Sequence, residues 1–126
     1  NANSVAFGRN NVGVSIWVAC TQDTGSDDTI LYSNDGMLWS AGTASYDISN
    51  FACADVAFGT STDGTCMFIA AGFETIANDN HSNILYSTDG QAWNVSSYGS
   101  ALPNGATAIT FNRDPYPLPY NLINNP

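Results

Sequence analysis

The chain has 126 residues, 44% of them apolar, which suits about one domain with a core of its own. Two arginines (Arg9, Arg113) and no lysine stand against 11 acidic residues, a net charge of −9 that argues against nucleic acid or an anionic membrane surface as partner. Only 10% of residues are charged, and Asn, Ser, Thr, Gly and Asp fill the polar positions, a surface suited to strands and turns rather than helices; no apolar run reaches the roughly 20 residues of a membrane span, so membrane insertion is not expected.

In chain order, the pattern predicts a first strand over Val5 to Gly8, a second over Ser15 to Cys20, a third over Thr29 to Ser33 and a fourth from near Leu38. Turn-forming residues separate them, with Gly8 to Gly13 joining the first pair and Asn34-Asp35-Gly36 joining the third strand to the fourth. The set then repeats. Val5-Ala6-Phe7-Gly8 returns as Val56-Ala57-Phe58-Gly59, and Ile16-Trp17-Val18-Ala19 is echoed by Met67-Phe68-Ile69-Ala70, both 51 residues on. Ile30-Leu31-Tyr32-Ser33-Asn34-Asp35-Gly36-Met37-Leu38-Trp39 returns 54 residues on as Ile84-Leu85-Tyr86-Ser87-Thr88-Asp89-Gly90-Gln91-Ala92-Trp93. A third copy begins at Ile109-Thr110-Phe111-Asn112 and then departs from the pattern.

A four-stranded unit of about 50 residues in tandem is expected of an all-β chain built from antiparallel blades. Two blades (1–54 and 55–107) would be followed by one strand and a Pro-rich tail (108–126). Such sheets must cover one another, with Phe7/Phe58, Trp17/Phe68 and Trp39/Trp93 as the large packing residues. The segments Tyr32 to Trp39 and Tyr86 to Trp93 resemble the Asp-box, or BNR, repeat of sialidase-like β-propellers, in a shorter Ser-x-Asp-Gly-x-x-Trp form. That motif also occurs in non-enzymatic extracellular and viral structural proteins. The resemblance implies a propeller-like architecture, with the boxes (Ser33, Asp35, Gly36, Trp39; Ser87, Asp89, Gly90, Trp93) as structural turns at the blade periphery. In such a turn the carboxylate accepts backbone N–H groups, Gly takes a positive φ, Ser fixes the turn and the aromatic ring packs beneath.

Catalytic constellations are not expected. Sialidase chemistry, as the resemblance implies it, needs an arginine cluster and a Tyr–Glu pair, whereas the chain has two Arg and one Glu, Glu74. The lone His81 sits in the polar run Asn78 to Asn83, with nothing like a nucleophile elbow around any Ser. The loops after the second strands carry Asp23, Asp27 and Asp28 in one copy and Glu74 with Asp79 in the other. The first set is a partial oxygen shell for calcium, set against a plain solvated acidic loop; otherwise no cofactor is expected. Cys20, Cys53 and Cys66 allow at most one disulfide; each lies beside apolar strand residues and reads as a small hydrophobe, with bonding left open. The sequons at Asn80 and Asn94 add little in a chain so rich in Asn and Ser.

The tail Arg113-Asp114-Pro115-Tyr116-Pro117-Leu118-Pro119-Tyr120 excludes a central strand and suits an extended strip or a linker. Asn1, not methionine, opens the chain, as expected of a processed product or fragment. Two blades and a strand leave faces uncovered, so other subunits or further copies of the chain are the expected partners. The functional expectation is a non-enzymatic structural or recognition module of an extracellular, cell-surface or virion protein, acting by self-association and loop presentation. The alternatives are a carbohydrate-binding module using Tyr46, Phe73 or Tyr98, or part of a glycoside hydrolase whose active site lies elsewhere.

Overall fold

A computed structural model describes residues 1–22, 28–44, 48–75, 83–97, 102 and 104–111. Among these residues the chain is all-β, with no helix and nine strands. β1 (Ala2–Arg9), β2 (Ser15–Thr21), β3 (Ile30–Ser33) and β4 (Ser40–Ala41) form sheet one in that order, every neighbour antiparallel. Sheet two has the order β5-β9-β8-β7-β6, from β5 (Thr43–Ala44), β6 (Phe51–Thr60), β7 (Cys66–Glu74), β8 (Ile84–Ser87) and β9 (Ala92–Val95).

The expected fourth strand of the first copy is divided between the sheets. Gly42 donates its N–H to the Ile30 carbonyl at 2.8 Å on sheet one, and the next residue, Thr43, donates to the Gln91 carbonyl at 2.8 Å on sheet two. β5 then runs parallel to β9, so sheet two is mixed. A Cβ at Gly42 would lie 3.1 Å from the Trp93 ring, so the smallest residue sits where the chain passes over that indole.

Strand alternation assigns the two faces of each sheet. On β2, Ile16, Val18 and Cys20 are buried while Trp17 is not; on β7, Phe68 and Ala70 are buried while Met67 and Ile69 are only partly covered. One core unites the sheets: Ala6, Ile16, Val18 and Ile30 from sheet one meet Val56, Phe68, Leu85 and Trp93 from sheet two, with Phe58 packed against them. Each large side chain so buried contributes about 1.5–3 kcal/mol.

The sheets stack in the register of the repeat. A Cβ at Gly8 would clash with the ring of Phe58, and a Cβ at Gly59 with the ring of Phe111; the two rings stand in equivalent places of successive copies. Polar contacts join the same strand regions of successive copies. Ser4 Oγ donates to Asp55 Oδ1 at 2.6 Å, and the N–H of Ile109 donates to Asp55 Oδ2 at 2.9 Å. The start of the third copy thus lies over sheet two, but residues 108–111 form no strand among the described residues.

Cys20 and Cys53 are disulfide-bonded, with Cα atoms 5.4 Å apart, whereas Cys66 is free and buried. The expectation of small hydrophobes therefore holds for Cys66 and fails for the other two. Stacking brings the end of β2 against the start of β6, a proximity that sequence spacing does not encode. The Pro-rich tail lies outside the described residues.

Candidate functional site

The residues that carried the motif form two copies of one turn. Leaving β3, buried Ser33 uses its hydroxyl as both acceptor and donor: it receives the Gly36 N–H at 2.8 Å and donates to Asp35 Oδ1 at 3.0 Å. The same Asp35 oxygen accepts the N–H groups of Met37 at 2.8 Å and Leu38 at 2.9 Å. Gly36 has φ 76°, a left-handed value that L side chains adopt only at a cost.

The second turn repeats this bond for bond. Ser87 Oγ receives the Gly90 N–H at 2.9 Å and donates to Asp89 Oδ1 at 2.9 Å, which also accepts Gln91 N–H at 2.8 Å and Ala92 N–H at 2.9 Å; Gly90 has φ 77°.

These bonds set the electrostatics. The N–H groups of Leu38 and Met37, then the Ser33 hydroxyl, hold the Asp35 carboxyl below its ordinary range. At Asp89 partial burial pushes upward, but the N–H groups of Ala92 and Gln91 and the Ser87 hydroxyl outweigh it and the net shift is down. Both groups are therefore carboxylates at neutral pH, with no proton to give, and one oxygen of each is committed to three donors within its own turn.

The aromatic residues of the two turns diverge. Trp39 stays partly exposed and donates its indole N–H to the Gly36 carbonyl at 3.2 Å. Trp93 is buried in the core, and its Nε1 finds no acceptor among the described residues. Gly36 faces the Trp17 ring, whereas a Cβ at Gly90 would lie 3.0 Å from Val18 and 3.2 Å from Ile16, so the second turn leans on sheet one.

Nor do the two carboxylates meet at one ligand. Asp89 borders a shallow cavity of about 200 Å³ with Asn10, Asn11 and Thr88, and Asp35 borders a separate one of about 220 Å³ with Tyr32, Asn34 and Ser40. Both fall below the roughly 300 Å³ at which small-molecule sites begin.

A third turn of this kind joins β6 to β7. Ser61 Oγ donates to Asp63, Thr65 N–H donates to Asp63 Oδ1 at 3.0 Å, and Gly64 has φ 87°. The Ser61 hydroxyl and the Thr65 N–H lower the Asp63 carboxyl to about 2. Its signal was in the sequence, since Ser61-Thr62-Asp63-Gly64 has the same four residues as Ser87-Thr88-Asp89-Gly90. In the matching β1–β2 loop, Asn10 Oδ1 stands in, accepting the N–H groups of Val12 at 3.1 Å and Val14 at 2.9 Å.

Of the calcium candidates, Asp23 and Asp27 lie outside the described residues, as do His81, Asp79, Tyr46 and Tyr98. Asp28 is described, and its backbone carbonyl accepts the Thr21 hydroxyl at 3.0 Å. Among the described residues no three His, Cys, Asp or Glu side chains gather as a metal site. Phe73 is partly exposed at the end of β7, with Gly105 packed against its backbone and Cβ. No protein-family model matches this chain, and no curated protein matches it.

Proposed function

We propose that this chain is a non-enzymatic structural or recognition module of an extracellular, cell-surface or virion protein. It would be a two-repeat segment of an Asp-box, propeller-like stack that works by self-association and by presenting its loops. The observation that carries this reading is the packing of sheet two on sheet one in repeat register, Phe58 over Gly8, with Phe111 continuing the pattern over Gly59. A module that stacks by such a rule can accept further sheets.

Two further features support it. The carboxylates of Asp35 and Asp89 are spent on their own turns, a structural use rather than acid–base chemistry. The Cys20–Cys53 bond suits an oxidising compartment.

Multi-angle light scattering over a concentration series tests the reading. Mass rising with concentration is expected; a monomer throughout counts against self-association. Glycan-array binding abolished by Phe73→Ala would move the assignment to carbohydrate recognition.

A further inference from the structure

The two repeats allow one surface to be compared with its equivalent inside the same molecule. Val56, Phe68 and Trp93 are 4%, 0% and 1% exposed, because sheet one covers them. Their counterparts Val5, Trp17 and Trp39 are 56%, 37% and 38% exposed, and Phe7, the counterpart of half-buried Phe58, is 53% exposed. The uncovered face is already shaped as the covered one is: the rings of Phe7 and Trp17 stand 4.4 Å apart at 44°, those of Phe58 and Phe68 4.8 Å apart at 50°.

The opposite half of the interface is also present. Within the chain, Phe58 lies on a face made by Ala6, Gly8, Ile16 and Val18. The matching positions on sheet two are Ala57, Gly59, Met67 and Ile69, which alternation turns away from the core. Phe111 occupies the Gly59 position as Phe58 occupies Gly8.

We propose that the Phe7–Trp17 face of sheet one is the docking surface for the Gly59 face of a second copy of this chain, and that Phe111 plugs that second face until Phe7 of the incoming copy replaces it. The inference rests on the self-association reading and deepens it by naming both surfaces. The occupant follows from continuity: the interface between the sheets has a ring-bearing side and a glycine side, and the chain carries one more of each. Contact between unlike faces is heterologous, so addition of copies closes a ring or extends a filament. Each copy carries a net charge of −9, so association strengthens with salt.

Sedimentation velocity of the full chain in 0.15 M and 0.5 M NaCl, both on the order of or above the screening range, tests this. The wild type is expected to self-associate, more at high salt. Phe111→Ala should tighten association about tenfold or more by emptying the seat, a step of about 1.4 kcal/mol by the standard conversion. Phe7→Asp alone and Met67→Asp alone should be monomers, and their mixture should give a 1:1 dimer and nothing larger, since each supplies the face the other lacks. Circular dichroism checks that the variants fold, and hydroxyl-radical footprinting of the unmutated chain should show Trp17 protected on association. Association that survives Phe7→Asp, leaves Trp17 unprotected, or persists in Met67→Asp alone overturns this inference while self-association stands. Monomers throughout, Phe111→Ala included, overturn both.

Discussion

Trp39 and Trp93 close equivalent turns, so truncating each in turn isolates the energy of sheet stacking. Trp93 is fully enclosed, its ring against Gly42 and the inter-sheet core. Replacement by Ala leaves a cavity between two layers, a cost of about 3–5 kcal/mol. Against a total stability of about 5–15 kcal/mol that is a large share. Trp39 has its ring partly in water, so Trp39→Ala loses partial burial and one hydrogen bond to Gly36, together about 1–2 kcal/mol. For a chain of this size 1 kcal/mol moves Tm by about 3–5 °C, so Trp93→Ala should lower it by about 10–25 °C and Trp39→Ala by no more than about 10 °C. Trp93→Phe, which removes an indole N–H lacking an acceptor among the described residues, should cost less than half as much as Trp93→Ala. Far-UV circular dichroism during thermal and urea unfolding, on dilute monomer, measures all three. Equal losses at the two tryptophans, or a larger loss at Trp39, would refute the claim that sheet two owes its core to sheet one.

Other consequences are open to measurement. The Cys20–Cys53 bond spans a sequence separation of 33, for which loop-closure entropy gives about 4 kcal/mol; reductant should lower Tm by more than about 10 °C, and an unchanged Tm would contradict the bond. Asp35, Asp63 and Asp89 all have folded-state carboxyls below the ordinary value. Their contribution is therefore present above the unfolded carboxyl range near pH 4 and is lost as pH falls, at Asp63 toward a value of about 2. Tm against pH should fall across that window, and Asp63→Asn should flatten the slope. Gly13 and Gly90 share a positive φ, but a Cβ at Gly13 meets nothing while one at Gly90 meets Val18 and Ile16. Gly13→Ala should cost about 1 kcal/mol and Gly90→Ala about 2–3 kcal/mol by urea unfolding.

What the sequence revealed and what it hid divide along the range of the interactions. The alternation in Ser15 to Cys20 and the Asp-Gly turns are local, and each gives its strand or turn from neighbouring residues alone. The division of the first copy's fourth strand at Gly42 is not local: it depends on Trp93, some 50 residues away, lying under that glycine. The pairing of Cys20 with Cys53 has the same origin, since the two approach only after the sheets stack. The Asp63 turn is a different case. Its Ser-Thr-Asp-Gly run was legible, but it falls between the first and second strands of its copy, where the other copy has Asn10-Asn11-Val12-Gly13 and the same fold is held by an amide oxygen.

The exchange of Asn10 for Ser61 and Asp63 also indicates what the repeat conserves physically: an acceptor that gathers the turn's N–H groups, whichever side chain supplies it. Stacking follows an equally simple rule with less freedom. A ring placed on glycine makes the two faces of a sheet unlike, one bulky and one flat. Ring against ring would force the sheets apart, and glycine against glycine would leave a void. The packing is thus directional, and a stack of such sheets that does not close on itself ends in one bare ring-bearing face and one bare glycine face. Here Phe111 lies over the glycine face of sheet two while Phe7 and Trp17 stand exposed, so the same pairing of ring and glycine that joins the sheets leaves one ring-bearing face bare.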